Sequence, residues 1–208
     1  MSKCILFDLD GTLLDSEWLS SESYDAGIYS VIGRKLQDNE KQFLMGKPFN
    51  VLTDLFPNHD INKIIDNTLT YYKAHNHKIK PYEGIPDLLE TLYRSGYKLG
   101  IVTTKLKVNA ETELLHTGIR SYFDVVLTRE DTKEFKPSPV PLLQAAELLS
   151  VIPQECMYVG DQPTDIEATH AAHMISVAAL WGEGQPHRLL PLSPTYFANH
   201  PHELLGLL

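Results

Sequence analysis

The sequence predicts an α/β fold, a parallel-sheet core interrupted by an inserted helical domain. Three observations carry that expectation. An apolar run, Cys4-Ile5-Leu6-Phe7, stops abruptly at two carboxylates, Asp8 and Asp10. Residues 16 to about 79 have helical patterning and no convincing strand. From Pro81 onward strands and helices alternate, the pattern of parallel strands joined by crossover helices. The expected boundaries are therefore 1–15 and 80–208 for the core and 16–79 for the insertion.

Taken in order, Cys4 to Phe7 reads as a strand covered on both faces, and Gly11 supplies the freedom for a sharp exit. In the insertion a first helix ends near Gly33. A second spans Leu36 to Met45 and is stopped by Gly46 and Pro48, and a short third runs from Asn50 to Phe56. Asp60 to His75 is the clearest helix, with Ile61, Ile64, Ile65, Leu69 and Tyr72 at helical spacing. The core resumes with a helix over Ile85–Ser95, a strand over Leu99–Val102, a helix over Val108–Thr117 and a strand over Val125–Leu127. There follow a helix over Val140–Leu149, a strand over Met157–Val159, a helix over Asp165–His173 and a strand over Ile175–Leu180. The proline-rich tail is expected to be a loop and a terminal helix.

Composition narrows the class. Of the 208 residues, 43% are hydrophobic and 22% charged, so a disordered or fibrous chain is excluded. A formal charge of −9 argues against a nucleic-acid partner, whose phosphates are held by basic patches. No signal-like segment and no 18-residue apolar run is visible, so a cytoplasmic protein without a membrane partner is expected. Cys4 and Cys156 each begin a buried strand and read as small core residues, possible neighbours in the sheet.

The chemistry-bearing residues fall at strand ends, where ligands bind in parallel α/β sheets. Asp8 and Asp10 either face one cavity or are separated by a bend. In both cases two carboxylates share a small site, where like charges repel unless a cation or proton intervenes. Hard oxygen donors favour magnesium over zinc. Thr103 ends a strand, Lys136 lies in Phe135-Lys136-Pro137, and Asp161 and Asp165 lie in Gly160-Asp161-Gln162-Pro163-Thr164-Asp165 after another strand. Each alone is an ordinary turn former, solvated lysine or helix cap.

Asp8-Leu9-Asp10-Gly11-Thr12-Leu13-Leu14-Asp15-Ser16 resembles the first motif of the haloacid dehalogenase superfamily, and the other three groups resemble its later motifs in order. The resemblance implies a Rossmann-like core and a helical cap at 16–79 that closes over the site. It implies Asp8 as nucleophile, forming an aspartyl-phosphate, and Asp10 as general acid and then base. Thr103 would donate to a phosphoryl oxygen, and Lys136 would place a charge beside the nucleophile and the transferring group. Mg2+ would be held by Asp8, Asp161 and the backbone carbonyl of Asp10, with Asp165 orienting that group. Gly11, Thr12, Thr104 and Lys105 are the expected substrate contacts. The segment Tyr97 to Lys105 looks most like the phosphoglycolate phosphatase branch and a related cytoplasmic pyrophosphatase. The expected activity is magnesium-dependent hydrolysis of a small phosphate compound, a phosphoglycolate-like monoester or pyrophosphate, by a monomer or weak homodimer. A sugar-phosphate mutase is the alternative, and a phospho-aspartate signalling domain a more distant one. A true dehalogenase is disfavoured, because halide departure needs neither Asp10 nor a metal.

Overall fold

The computed structural model describes residues 4–44 and 49–208. They form two compact units, one reaching to Asp15 and resuming at Lys80, the other comprising Ser16–Ile79. Gly46 and Pro48, the expected stop of the second helix, lie outside the described residues.

The first unit begins with β1 (Cys4–Phe7), all four side chains fully buried. Covering apolar chains of this size contributes about 1.5–3 kcal/mol each, which makes β1 the natural centre of a sheet. β2 (Leu14–Asp15) pairs antiparallel with β3 (Lys80–Pro81), a two-stranded ribbon too short to show in the sequence pattern.

In chain order the second unit follows β2 and precedes β3: α1 (Glu17–Ile32), α2 (Asp38–Leu44), α3 (Leu52–Leu55) and α4 (Ile61–His75). α1 closes at Gly33 in the left-handed region, and Asp60 caps α4 by accepting from the Lys63 N–H. Ile28, Leu36, Leu44, Leu52, Phe56 and Ile64 form its core. The buried stripe of α4 is Ile64, Thr68 and Tyr72: Ile64 and Tyr72 belong to the expected series, and Thr68 does not. Its centre faces Gly27 of α1, where a Cβ would come within 2.0 Å of Thr68 Oγ1, so glycine permits the close crossing. The expected third helix is one 3-10 turn, Phe49–Val51, followed by α3.

The chain then alternates as α5 (Ile85–Arg94), β4 (Lys98–Val102), α6 (Lys107–His116), β5 (Val125–Leu127), α7 (Val140–Leu148), β6 (Cys156–Gly160), α8 (Pro163–Ala171) and β7 (Ile175–Ala179). α8 starts two residues earlier than expected because Gln162 and Asp165 close a capping box around its first turn. The tail departs from expectation. It contains α9 (Pro186–Leu189), a further strand β8 (Tyr196–Ala198) and a 3-10 helix, Pro201–Gly206, in place of a terminal α-helix.

The six-stranded sheet runs β5-β4-β1-β6-β7-β8 with every pairing parallel. In chain order these strands are third, second, first, fourth, fifth and sixth, the doubly wound order whose reversal beside β1 opens a crevice at the strands' C-terminal ends. At the other end Cys4 stands opposite Cys156, both fully buried, and the Cys156 Sγ donates to Ile152 O at 3.6 Å. Among the described residues no helix is long and apolar enough to cross a membrane.

Candidate active site

The crevice is built from four strand ends. Beyond β1, the Asp8 N–H donates to Val159 O of β6 (2.9 Å), so the chain leaves the sheet only after Asp8. It then turns at Gly11, whose φ of +80° suits glycine. A Cβ there would lie 2.7 Å from the Asp161 carboxylate, so Gly11 also makes room for that acid. The Gly11 N–H donates to Leu14 O, and Trp181 Nε1 donates to Thr12 O at 2.8 Å, pinning the turn from the loop after β7.

The two acids, one residue apart in sequence, part company here. Asp8 is buried, and its Oδ1 accepts from Lys136 Nζ at 2.7 Å. Asp10 is more exposed, and its Oδ1 lies 2.5 Å from Lys105 Nζ. Lys136 reaches in from the segment before α7 and also donates to Asp165 Oδ1 (2.7 Å) and Tyr158 Oη (2.8 Å). Tyr158 in turn donates to Val102 O at 3.0 Å, tying this ammonium to β4 and β6.

Asp161 follows β6 directly. Its Oδ1 accepts from Thr12 Oγ1 (2.7 Å) and its Oδ2 from Gln162 Nε2 (2.6 Å). Asp165, in the first turn of α8, accepts from the Gln162 N–H through Oδ2 at 2.8 Å. Carboxylate oxygens of Asp8, Asp161 and Asp165 lie within 4.8 Å of one another, and all three residues are buried.

Three carboxylates against the charge of Lys136 leave an excess of negative charge in a dry setting. Burial pushes the Asp8 carboxyl up to about 7; Lys136 pulls it back, while Asp165 and Asp10 add to the rise. Asp161 is held well above the usual carboxylate range by burial and by Asp165 and Asp8. Burial works against the Lys136 ammonium, but Asp165, Asp8 and Tyr158 more than offset it and hold its pKa well above that of ordinary lysine. Clustered, unneutralised hard oxygens with raised proton affinity are what a small divalent cation would relieve, and the donor set suits magnesium.

Thr103 is buried at the end of β4, where its N–H donates to Leu127 O and its Oγ1 accepts from the Lys105 N–H at 3.1 Å. With Thr104 and Lys136 it lines a recess continued by Thr128, Thr132 and Phe135. The structure thus gathers Asp8, Lys136, Asp161 and Asp165 into one cluster and puts Thr103 and Thr104 on the recess beside Lys136. Of the expected substrate contacts, the Thr12 hydroxyl is turned to Asp161 and the Lys105 ammonium to Asp10.

Sequence reasoning missed Tyr158, Gln162, Trp181 and Glu113. Tyr158 reads as one more apolar strand residue in Cys156-Met157-Tyr158-Val159. The signal for Glu113 is an acid on the stripe Ala110, Glu113, Leu114 that faces inward from α6.

Comparison with known proteins points the same way. A family model for haloacid dehalogenase-like hydrolases matches residues 5–179. A pyrophosphatase, PpaX, from Bacillus mycoides is 32% identical over 98% of this chain and 95% of its own. A haloacid dehalogenase-like family hydrolase from Streptococcus pneumoniae superposes with a TM-score of 0.82 at 27% identity, covering 99% of this chain and 98% of that one. A predicted phosphoglycolate phosphatase from Haemophilus somnus gives 0.89 at 23% identity over 99% and 97%, a likeness of fold.

Proposed function

The chain belongs to the haloacid dehalogenase-like hydrolases, and from that premise we propose that it is a magnesium-dependent phosphatase of small phosphate compounds working through an aspartyl-phosphate. The observation that carries this reading is the Asp8–Lys136 contact of 2.7 Å inside a buried cluster with Asp161 and Asp165.

In this reading Asp8 attacks phosphorus through its carboxylate as the bond to the leaving oxygen breaks. Asp10 gives that oxygen a proton. Water then attacks the acyl-phosphate, Asp10 takes the proton back, and phosphate leaves with the Asp8 carboxylate restored. Lys136 holds Asp8 in place and offers positive charge beside the transferring group, while Thr103 donates to one of its oxygens. Asp8 and Asp161, with the Asp10 carbonyl, would hold magnesium, and Asp165, Thr12 and Gln162 would orient that set. When bound, the metal neutralises the carboxylates and the phosphoryl oxygens together. The helical unit, as a cap, would govern substrate choice.

The substrate is a phosphoglycolate-like monoester or pyrophosphate; the relative's activity puts pyrophosphate first. The test is phosphate release from pyrophosphate, phosphoglycolate and sugar phosphates with and without magnesium. Magnesium-dependent release from one of them is expected. Interconversion of sugar phosphates without net release would replace the hydrolase by a mutase, and a long-lived aspartyl-phosphate without turnover would replace it by a signalling module.

A further inference from the structure

Lys105 stands between two acids. Its ammonium lies 2.5 Å from Asp10 Oδ1 and 2.5 Å from Glu113 Oε2. The Lys105 side chain is 9% exposed and that of Glu113 not at all. The main chain of Lys105 is held on both sides, its N–H donating to Thr103 Oγ1 and its carbonyl accepting from the Arg129 N–H, each at 3.1 Å. α6 begins two residues later and carries Glu113 on its buried face beside Ala110 and Leu114.

Stability alone is a weak reason for this arrangement. An aliphatic residue at 113 would bury well, and a buried ion pair is commonly no better for the fold than an apolar pair of similar volume. What the pair does supply is direction: a carboxylate gripped through one oxygen by a fixed donor cannot rotate freely about its side-chain bonds.

We infer that Lys105 and Glu113 are positioning residues that clamp Asp10, Lys105 fixing Oδ1 and Glu113 fixing Lys105, so that the second oxygen of Asp10 keeps one orientation toward the leaving group. The inference rests on the acid–base reading of Asp10 given above. Proton transfer matters most when the leaving group is poor, so a loosened Asp10 is felt on an alkyl phosphate far more than on an aryl one.

The experiment compares Lys105→Met, Glu113→Gln and the double variant Lys105→Met/Glu113→Leu on ethyl phosphate and 4-nitrophenyl phosphate at saturating magnesium, with Asp10→Asn alongside. The double variant removes both charges together, so it avoids the unpaired buried Glu113 carboxylate that Lys105→Met alone would leave. For it, kcat on ethyl phosphate is expected to fall about 10- to 100-fold, a part of the usual contribution of a general acid, while the aryl ester loses less than about 3-fold and KM holds for both. Equal losses on the two esters, or none on the alkyl ester, overturn the clamp while leaving Asp10 its role. Equal losses in Asp10→Asn overturn the acid role and the clamp with it.

Discussion

Asp8 and Asp10 are the same residue type two positions apart, and each ends against a different lysine. On Lys136 two buried carboxylates and a tyrosine hydroxyl converge, with the buried Asp161 clustered beside those acids, and the Asp8 carboxyl is pushed up to about 7 by burial. Around Lys105 the arrangement is a chain, Asp10 to Lys105 to Glu113. The first is a crowded, charge-unbalanced pocket suited to a cation and to covalent chemistry. The second is an internally compensated tether suited to holding one side chain still. Environment, not residue type, separates the two proposed roles.

The largest effect expected from breaking this contrast is at Asp8. If Asp8 is the proposed covalent nucleophile, Asp8→Asn should lower turnover by at least ~10³-fold. The same change should stabilise the magnesium-free protein. Because the folded pKa lies above the ordinary 3.8, the favourable protonated form persists below about pH 4 and is lost as pH rises through about 7. Asparagine stays neutral throughout, so the variant should melt higher than the parent at pH 8, by about 2–4 °C for each kcal/mol relieved, and no higher at pH 4. A lower melting temperature at pH 8, read by calorimetry, would show that Lys136 outweighs the burial of Asp8.

Lys136 and Tyr158 come next. Lys136→Met should lower kcat by about 10³-fold and cost about 3–5 kcal/mol in magnesium-free denaturant unfolding, since it strands buried carboxylates. Tyr158→Phe removes only one acceptor from the ammonium and should lower kcat about tenfold, the equivalent of 1.4 kcal/mol. Equal losses in the two variants would make the tyrosine hydroxyl, not the charge, the main anchor of that pocket.

The smallest effect sharpens the contrast. Gln162→Leu takes a donor from Asp161 Oδ2 and should weaken magnesium binding about tenfold by titration calorimetry, with kcat restored at saturating metal. Lys105→Met should leave magnesium affinity unchanged. A shared loss of affinity would merge the two lysine regions into one.

How much of this could be read in advance depends on range. The strand Cys4–Phe7, the paired acids and the Gly160-Asp161 turn are short-range patterns, and each survives in the structure at the expected strand end. The long-range partners of those residues have no local pattern: Lys136 beside Asp8, 128 residues away, was expected only through the family resemblance, and the lysine that meets Asp10 from 95 residues away was not expected as its partner at all. Tyr158 was hidden by its apolar neighbours, since a phenol in a strand announces no role until its hydroxyl finds a partner. β8 was missed because Tyr196-Phe197-Ala198 is three residues long and flanked by Pro194 and Pro201, a setting that reads as loop.

The cysteine pair at the far end of the sheet bears on how the molecule opens. Cys4 and Cys156 lie opposite one another on the two central strands, fully covered, and the neighbouring Cys156 thiol together with burial holds the Cys4 thiol in its unreactive protonated form. An electrophilic thiol reagent therefore reaches them only when β1 separates from β6. The alkylation rate of the unaltered protein becomes a clock for that separation, and in the regime of fast reclosing it reports the free energy of the deepest breathing motion of the sheet. Both sulfurs should label in one kinetic phase, because a single opening event uncovers them together.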